Sequence, residues 1–303
     1  MPPRVAIIVL NYNGTADTLE CLRSLTHCTY KNFSVIVVDN ASVDADAFAH
    51  VVRTEFPHAH IISCSENTGF AGGNNAGIRY ALEQGNEYVL LLNNDTTVAP
   101  DFIEHVIAAA ESDARMGIVG AKIYFHAEPD HIWFNGADFS WVDGGKHYQY
   151  GERDNEPNET VVSSTTFVTG CAMLISRAVI EKIGLLEEAF FMYYEDIDYC
   201  LRAKRAGFTS CVAPGAHVWH KVSRASTAMG MPRIHYYHIR NALLLTMRNA
   251  SISVRGGVYI WSVFHYAKQI IKRVVMPKIR ETSTMIIRGI EDFWRGRFGK
   301  LQE

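Results

Sequence analysis

Apolar residues come along this chain in short blocks whose spacing changes repeatedly. Arg4 to Leu10 is a Val/Ile/Leu run that stops at Asn11-Tyr12-Asn13-Gly14, and Thr15 to Leu25 then carries Leu19, Leu22 and Leu25 at helical spacing. That order predicts a strand, a tight turn and a helix. The pattern returns in Phe33 to Val38, which ends in Asp39-Asn40-Ala41-Ser42, with a helical stretch to about Phe56 and a third short strand at Ile61-Ile62. Asn67 to Gly77 reads as a loop of small residues feeding a helix through Ile78, Ala81 and Leu82. Tyr88 to Leu92 is then an unbroken apolar run that stops at Asn93-Asn94-Asp95. Such runs between helices predict strands buried on both faces, in a parallel α/β sheet.

Beyond Asp95 the pattern predicts a strand from about Ile118 to Phe125, then an irregular stretch from Glu128 to Glu159 holding Trp133, Trp141, Gly144, Gly145, Tyr148 and Tyr150. Aromatics there suit stacking on a sugar; packing beneath a long loop is the favoured reading. Thr165 to Ser176 reads as another buried strand, made small by Gly170-Cys171-Ala172. Phe190 to Tyr194 gives way to Glu195-Asp196-Ile197-Asp198 and a helix through Leu201, Ala206 and Phe208. Ala216 to Lys221 alternates, placing Val218 and His220 on one face and His217 and Trp219 on the other. In the tail, Ile260, Phe264, Ala267, Ile271 and Val274 define one helical face. A second segment after Pro277 holds Ile286, Ile290, Phe293 and Trp294 beside Arg288, Arg295 and Arg297.

Bulk numbers narrow the class. With 303 residues and 48% hydrophobic positions the chain builds a substantial core, which excludes disorder. Its net charge of −3 hides an asymmetry: from Arg233 onward 13 Lys/Arg face 4 Asp/Glu, against 16 and 28 before it. A division follows at 1–232 and 233–303, the second part basic and helical. The six cysteines form no CxxC pair, which argues against structural zinc and suits reduced thiols in a cytoplasmic protein. The amino terminus lacks the apolar stretch of a secretory signal, and no segment reaches the roughly 18 uninterrupted apolar residues of a membrane span.

The candidate chemistry gathers at strand ends. Asn11 and Asn13, then Asp39 and Asn40, then Asp95 should converge on one sheet edge, the edge where open α/β sheets bind ligands. Asp39 can accept a pyrimidine imide or a ribose hydroxyl. The loop from Asn67 through Gly69 to Asn74 can bring backbone N–H groups to phosphate, although GxGxxG is not satisfied. Each feature has a plain alternative: turn formation for Asn93 to Asp95, helix–strand packing for Gly69, Gly72 and Gly73, and an ordinary polar residue for His220. Helix capping accounts for one or two of Glu195, Asp196 and Asp198, and three exceed what a cap requires. One of them can serve as a general base.

Taken together, Asn11 to Gly14, Asp39 to Ser42, the Asn67 to Gly77 stretch, Asn93-Asn94-Asp95, Glu195-Asp196 and His220 resemble glycosyltransferase family 2, in its rhamnosyltransferase-like branch. The resemblance covers about Val5 to Asn249. It implies a GT-A fold, a nucleotide-diphosphate sugar donor, a divalent metal (Mg²⁺ or Mn²⁺) and inverting transfer to a saccharide or lipid-linked saccharide acceptor in surface polysaccharide synthesis. By the same resemblance Asp95 and His220 would hold the metal, and Asp196, rather than Glu195, would be the base. Asn11, Asn13, Asp39, Asn40, Asn67, Gly69, Asn74 and Asn94 would line the donor pocket. Two positions depart from the common pattern: Asn93 replaces the first aspartate of DXD, and Gly73 replaces an arginine.

The rivals are a sugar-nucleotide pyrophosphorylase, which would want a basic residue between Asn11 and Ala16, and a non-catalytic saccharide-binding module. The basic amphipathic tail is expected to lie on an anionic membrane surface at the inner face of the cell membrane, or to pack on the catalytic part or a second subunit. It carries no nucleic-acid recognition motif.

Overall fold

The computed structural model describes residues 1–141, 144–159, 161–222 and 229–302. In chain order the elements are β1 (Val5–Asn11), α1 (Thr15–Thr26), β2 (Phe33–Asp39), α2 (Ala45–Glu55), β3 (His60–Ser63), α3 (Gly69–Glu83), β4 (Tyr88–Asn93), β5 (Thr96–Val98), α4 (Phe102–Glu111), β6 (Met116–Phe125), β7 (Ile132–Phe134), β8 (Ala137–Ser140), β9 (Gly144–His147), β10 (Ser163–Ser164), β11 (Ala172–Ser176), α5 (Arg177–Ile183), α6 (Glu195–Arg205) and β12 (Thr209–His220). Three long helices follow: α7 (Met231–Asn249), α8 (Ile252–Val275) and α9 (Arg280–Trp294).

The main sheet runs β10-β12-β6-β11-β4-β1-β2-β3, with β5 on β12 and β7 on β6. Strands β3, β2, β1 and β4 are parallel, as are β6 and β12, but β11 enters antiparallel between β4 and β6. The sheet is therefore mixed. Its apolar strands are sealed on both faces, with Ile7, Ile8, Leu90 and Leu91 at most 1% exposed, as their unbroken patterning requires. All six cysteines are free thiols.

Three expectations change. Most of Asn67 to Gly77 is not loop: α3 begins at Gly69. Its glycines are needed for contact, since a Cβ on Gly77 would stand 2.7 Å from the fully buried Ile8 and one on Gly73 2.4 Å from Leu10. Helix–strand packing explains Gly73 and Gly77, whereas Gly69 faces Phe191 and Gly72 faces Thr68. The expected strand Thr165 to Ser176 pairs only from Ala172 onward, because the Gly170 N–H is drawn to the Asp196 carboxylate instead. Within Glu128 to Glu159 a small antiparallel pair, β8 with β9, interrupts the irregular stretch.

Helix α7 packs into the main body, where Leu244 and Leu245 join the core. Helix α9 packs on α7 through buried Ile287 and Ile290, with Gly289 set against Ile239 and the Tyr236 backbone. Among the described residues no helix is long and apolar enough to cross a membrane.

Candidate active site

The site is assembled where β1, β2, β4, β6 and β12 end and β11 begins. Strand β5 turns back after Asp95 and pairs with the end of β12, so that His220 stands opposite Thr96 and the Lys221 N–H donates to the Asp95 carbonyl. This ladder brings the two side chains together: His220 Nε2 lies 3.1 Å from Asp95 Oδ1. Burial opposes the Asp95 charge, yet His220 more than offsets it and holds the carboxyl below its usual range. Burial likewise disfavours the His220 cation, but Cys171 and Asp95 against it push its pKa up to about 10. Its Nδ1 is buried without a partner, and the Trp133 ring meets it edge-on at 4.7 Å. Val218 and His220 are buried while His217 and Trp219 are half-buried beside Tyr124, as the alternation predicts.

The segment before β11 connects this pair to the carboxylates of α6. The Cys171 carbonyl accepts from the Asn93 N–H at 2.9 Å, and one residue earlier the Gly170 N–H donates to Asp196 Oδ2 at 3.1 Å. The three acids of α6 now separate. Asp198 is wholly buried and held by Arg202 at 2.8 Å, Arg248 at 3.1 Å and Asn249 at 2.8 Å, which makes it structural. Glu195 is 5% exposed with Oε2 unpartnered, and burial beside the Asp196 charge raises its pKa well above the ordinary carboxylate range. Asp196 is half-buried; burial raises it too, against the Gly170 and Ile197 N–H groups that favour its charge. Asp196 is thus reachable from solvent and held at two points, whereas Glu195 is nearly closed off.

On the donor side the predicted residues meet, and several are occupied with one another. Asn11 is fully buried; its amide donates to Asp39 Oδ1 and Ser42 Oγ, and its carbonyl oxygen accepts from Gly14 N–H and Thr18 Oγ1. Asp39 also accepts from the Ser42 N–H, leaving part of its lone-pair capacity at 1% exposure. Asn40 donates to Asn67 and to the Gly69 carbonyl and accepts from Thr68. Asn74 donates back to the Phe70 carbonyl within α3. The first N–H groups of α3 have protein acceptors: Gly69 donates to Asn67 Oδ1, and Phe70 to the Phe191 carbonyl at 2.7 Å. The N–H groups of Gly69 and Phe70, in the stretch expected to bring backbone N–H groups to phosphate, are thus already paired within the protein. Asn13 is exposed, in the left-handed region at φ 54, its carbonyl oxygen accepting from the Val43 N–H; Asn94 is half-buried, donating to Thr18.

The sequence reading passed over Arg240 and Asn241. The turn before Glu195 holds Phe191, Tyr193 and Tyr194 at φ 65, 68 and 73, a conformation that L side chains resist. Asn241 donates to the carbonyls of Phe190, Met192 and Tyr193 at 2.9, 2.7 and 3.1 Å, and Arg240, fully buried, donates to Phe190 and Gly299. A polar pair set directly before the apolar run Ala242 to Leu245 was the available signal. His147 was also missed; burial lowers the pKa of its imidazole, against the Asp196 charge nearby, which favours protonation.

The profile described as "Glycosyltransferase like family 2" matches residues 2–231. The chain is 24% identical to the dTDP-rhamnosyl transferase RfbF of Shigella flexneri, over 86% of each chain. It is 24% identical to the N-acetylglucosaminyl-diphospho-decaprenol L-rhamnosyltransferase of Mycobacterium tuberculosis, over 80% of this chain and 84% of that one. Among solved structures it resembles the mannosyltransferase PcManGT of Pyrobaculum calidifontis in complex with GDP-Man and Mn²⁺, with a TM-score of 0.60 at 15% identity, over 98% of this chain and 87% of that one. A mixed sheet of this order with acidic strand ends, matched over most of its length, places the chain in glycosyltransferase family 2, with the GT-A fold.

Proposed function

We propose that this glycosyltransferase moves a sugar, rhamnose from dTDP-rhamnose being favoured, onto a saccharide or lipid-linked saccharide acceptor, with inversion at the anomeric carbon. The observation that supports this most is the connection of Asp196 to the Asp95–His220 pair through Gly170, Cys171 and Asn93 at one sheet edge. The names of the two rhamnosyltransferase relatives support the choice of donor. We treat residues 1–232 as the catalytic part and 233–303 as a helical extension that buttresses it.

Asp196 would take the proton of the acceptor hydroxyl. The hydroxyl oxygen then forms its bond to the anomeric carbon as the bond to the donor phosphate breaks, and the nucleoside diphosphate leaves with that electron pair. A raised pKa suits this role, because a more basic carboxylate accepts a hydroxyl proton more readily. Asp39 would meet the nucleobase or ribose, and the exposed Asn13 would stand at the pocket mouth.

The Asp95 and His220 atoms, 3.1 Å apart, have the spacing of two adjacent ligands about 2.1 Å from one ion. Among the described residues no three His, Cys, Asp or Glu side chains gather to hold a metal, so the donor's phosphate oxygens would have to complete such a site. One carboxylate with one imidazole suits Mn²⁺ better than Mg²⁺. When bound, the ion would neutralise charge developing on the leaving diphosphate.

Calorimetric titration of dTDP-rhamnose, UDP-sugars and GDP-sugars into wild type and Asp95→Ala, with and without Mn²⁺ or Mg²⁺, tests the reading. One nucleotide sugar should bind wild type in a metal-dependent way and Asp95→Ala weakly. Absence of binding across the panel would overturn it.

A further inference from the structure

Helix α8 is amphipathic the wrong way round for a helix of a water-bathed surface. Its inward side is polar: Ser262 is fully buried and Gln269 is 4% exposed, Tyr266 donates to Glu291, and the Trp294 indole donates to Ser262. Its outward side is apolar: Ile260, Phe264, Ile271 and Val274 are 60, 72, 62 and 74% exposed. At 100° per residue these four lie within about 80° of one another, and Ser262 and Gln269 fall on the opposite side. Tyr259, Trp261, Val263, Ile270 and Val275, all exposed, widen the apolar arc to about 200°, just over half the helix. From Tyr259 to Val275 the stripe is about 25 Å long. An apolar surface of that extent calls for a covering partner.

Charge decides between a second copy and a lipid surface. The helix contains no Asp or Glu, while Lys268 and Lys272 lie along one edge of the apolar arc. On the inward side Arg273 shares a cavity of about 450 Å³ with Arg288, Arg295, Arg297 and Lys300, and the Glu291 and Asp292 carboxylates line it too. Two copies meeting through this face would bring cationic borders together with no carboxylate on the helix to match them. An anionic bilayer supplies the apolar interior, the negative headgroups and a level for the aromatic rings. The second tail segment, α9, differs: Ile287 and Ile290 are buried and Ile286, Phe293 and Trp294 half-buried, so the exposed apolar face belongs to α8.

We propose that α8 lies flat on an anionic lipid bilayer, with Ile260, Phe264, Ile271 and Val274 among the acyl chains and Lys268 and Lys272 at the headgroups. This docking stands apart from the transfer reaction, since a chain without sugar-transfer activity would bind equally well.

The test is co-sedimentation of the full chain with phosphatidylcholine vesicles, with and without phosphatidylglycerol, at low and high salt. Wild type should pellet with the anionic vesicles and be released by salt. Phe264→Glu with Ile271→Glu, at exposed positions that leave the fold intact by circular dichroism, should weaken partitioning at least tenfold, and Lys268→Ala or Lys272→Ala about fivefold each. Light scattering of the same proteins covers the other occupant. A wild-type dimer that the Phe264/Ile271 variant splits, together with no vesicle binding, would overturn the proposal and assign the face to a second copy. Equal binding to neutral and anionic vesicles would overturn the headgroup role.

Discussion

The Asn241 side-chain amide donates to the Met192 carbonyl at 2.7 Å, bridging from α7 to the turn that delivers Glu195 and Asp196. That turn is conformationally strained and has no intrinsic reason to hold its shape. Asn241→Ala should therefore lower kcat by about 100-fold through misplacement of Asp196, with the donor KM within about twofold. The lost hydrogen bonds should also cost about 1–3 kcal/mol of stability in a denaturant titration. Proportional loss of kcat and donor affinity would point to general unfolding instead.

Asp196→Asn should reduce turnover by about 10²–10⁴-fold with donor binding retained, and Glu195→Gln should reduce it far less. The opposite ranking in steady-state assays would move the base to Glu195.

Because burial raises the pKa of both carboxyls, the acid limb of the kcat/KM profile should lie above the ordinary carboxylate range, activity rising with pH as the base loses its proton. Stability follows the same shift. A carboxyl whose folded pKa is raised contributes stability below its unfolded pKa and loses it as pH climbs through the folded one. Glu195→Gln should thus melt higher than wild type at mildly alkaline pH and lose that advantage near pH 4, where wild-type Glu195 is itself neutral. A constant difference in Tm across pH would show that Glu195 ionises freely.

His220→Ala and Asp95→Ala should each weaken metal-dependent donor binding at least about tenfold, and a chelator should abolish wild-type activity until Mn²⁺ is restored. Undiminished turnover in the chelator would remove the metal from the mechanism.

Gly69→Ala is predicted to destabilise by about 2 kcal/mol or more. Gly69 has φ +75, and a Cβ there would stand 2.3 Å from the Phe191 carbonyl oxygen. Because that oxygen belongs to the same strained turn, the substitution should depress kcat as well; an unchanged kcat would separate the turn from α3.

Local pattern revealed what depended on local geometry. The apolar run ending at Asp95 and the alternation around His220 were legible because strand periodicity fixes which way side chains point, and the ladder between β5 and β12 brought the two together. What depended on distant partners was hidden. Nothing near Asp198 announces Arg248 and Asn249, which lie 50 and 51 residues on and turn it into a buried anchor. Asn40, Asn67 and Asn74 have the composition of ligand-binding residues, but their amides close on neighbouring backbone and side chains. The glycines from Gly69 to Gly77 look like a loop because helix propensity is weak there, and close approach to Ile8 outweighs propensity. The two tail segments share one pattern, yet α9 turns its apolar side to the protein and α8 turns it away, a choice made by packing.

The antiparallel strand β11 sets the order in which the sheet can be completed during synthesis. It fills the place between β4 and β6, so β6 cannot join the growing sheet until Ser176 has emerged, some fifty residues after β6 itself. Over that interval Val89 to Leu92 presents an open apolar edge to whatever strand is nearby. A nascent chain halted before Ala172 is accordingly the form of this protein most in need of a chaperone.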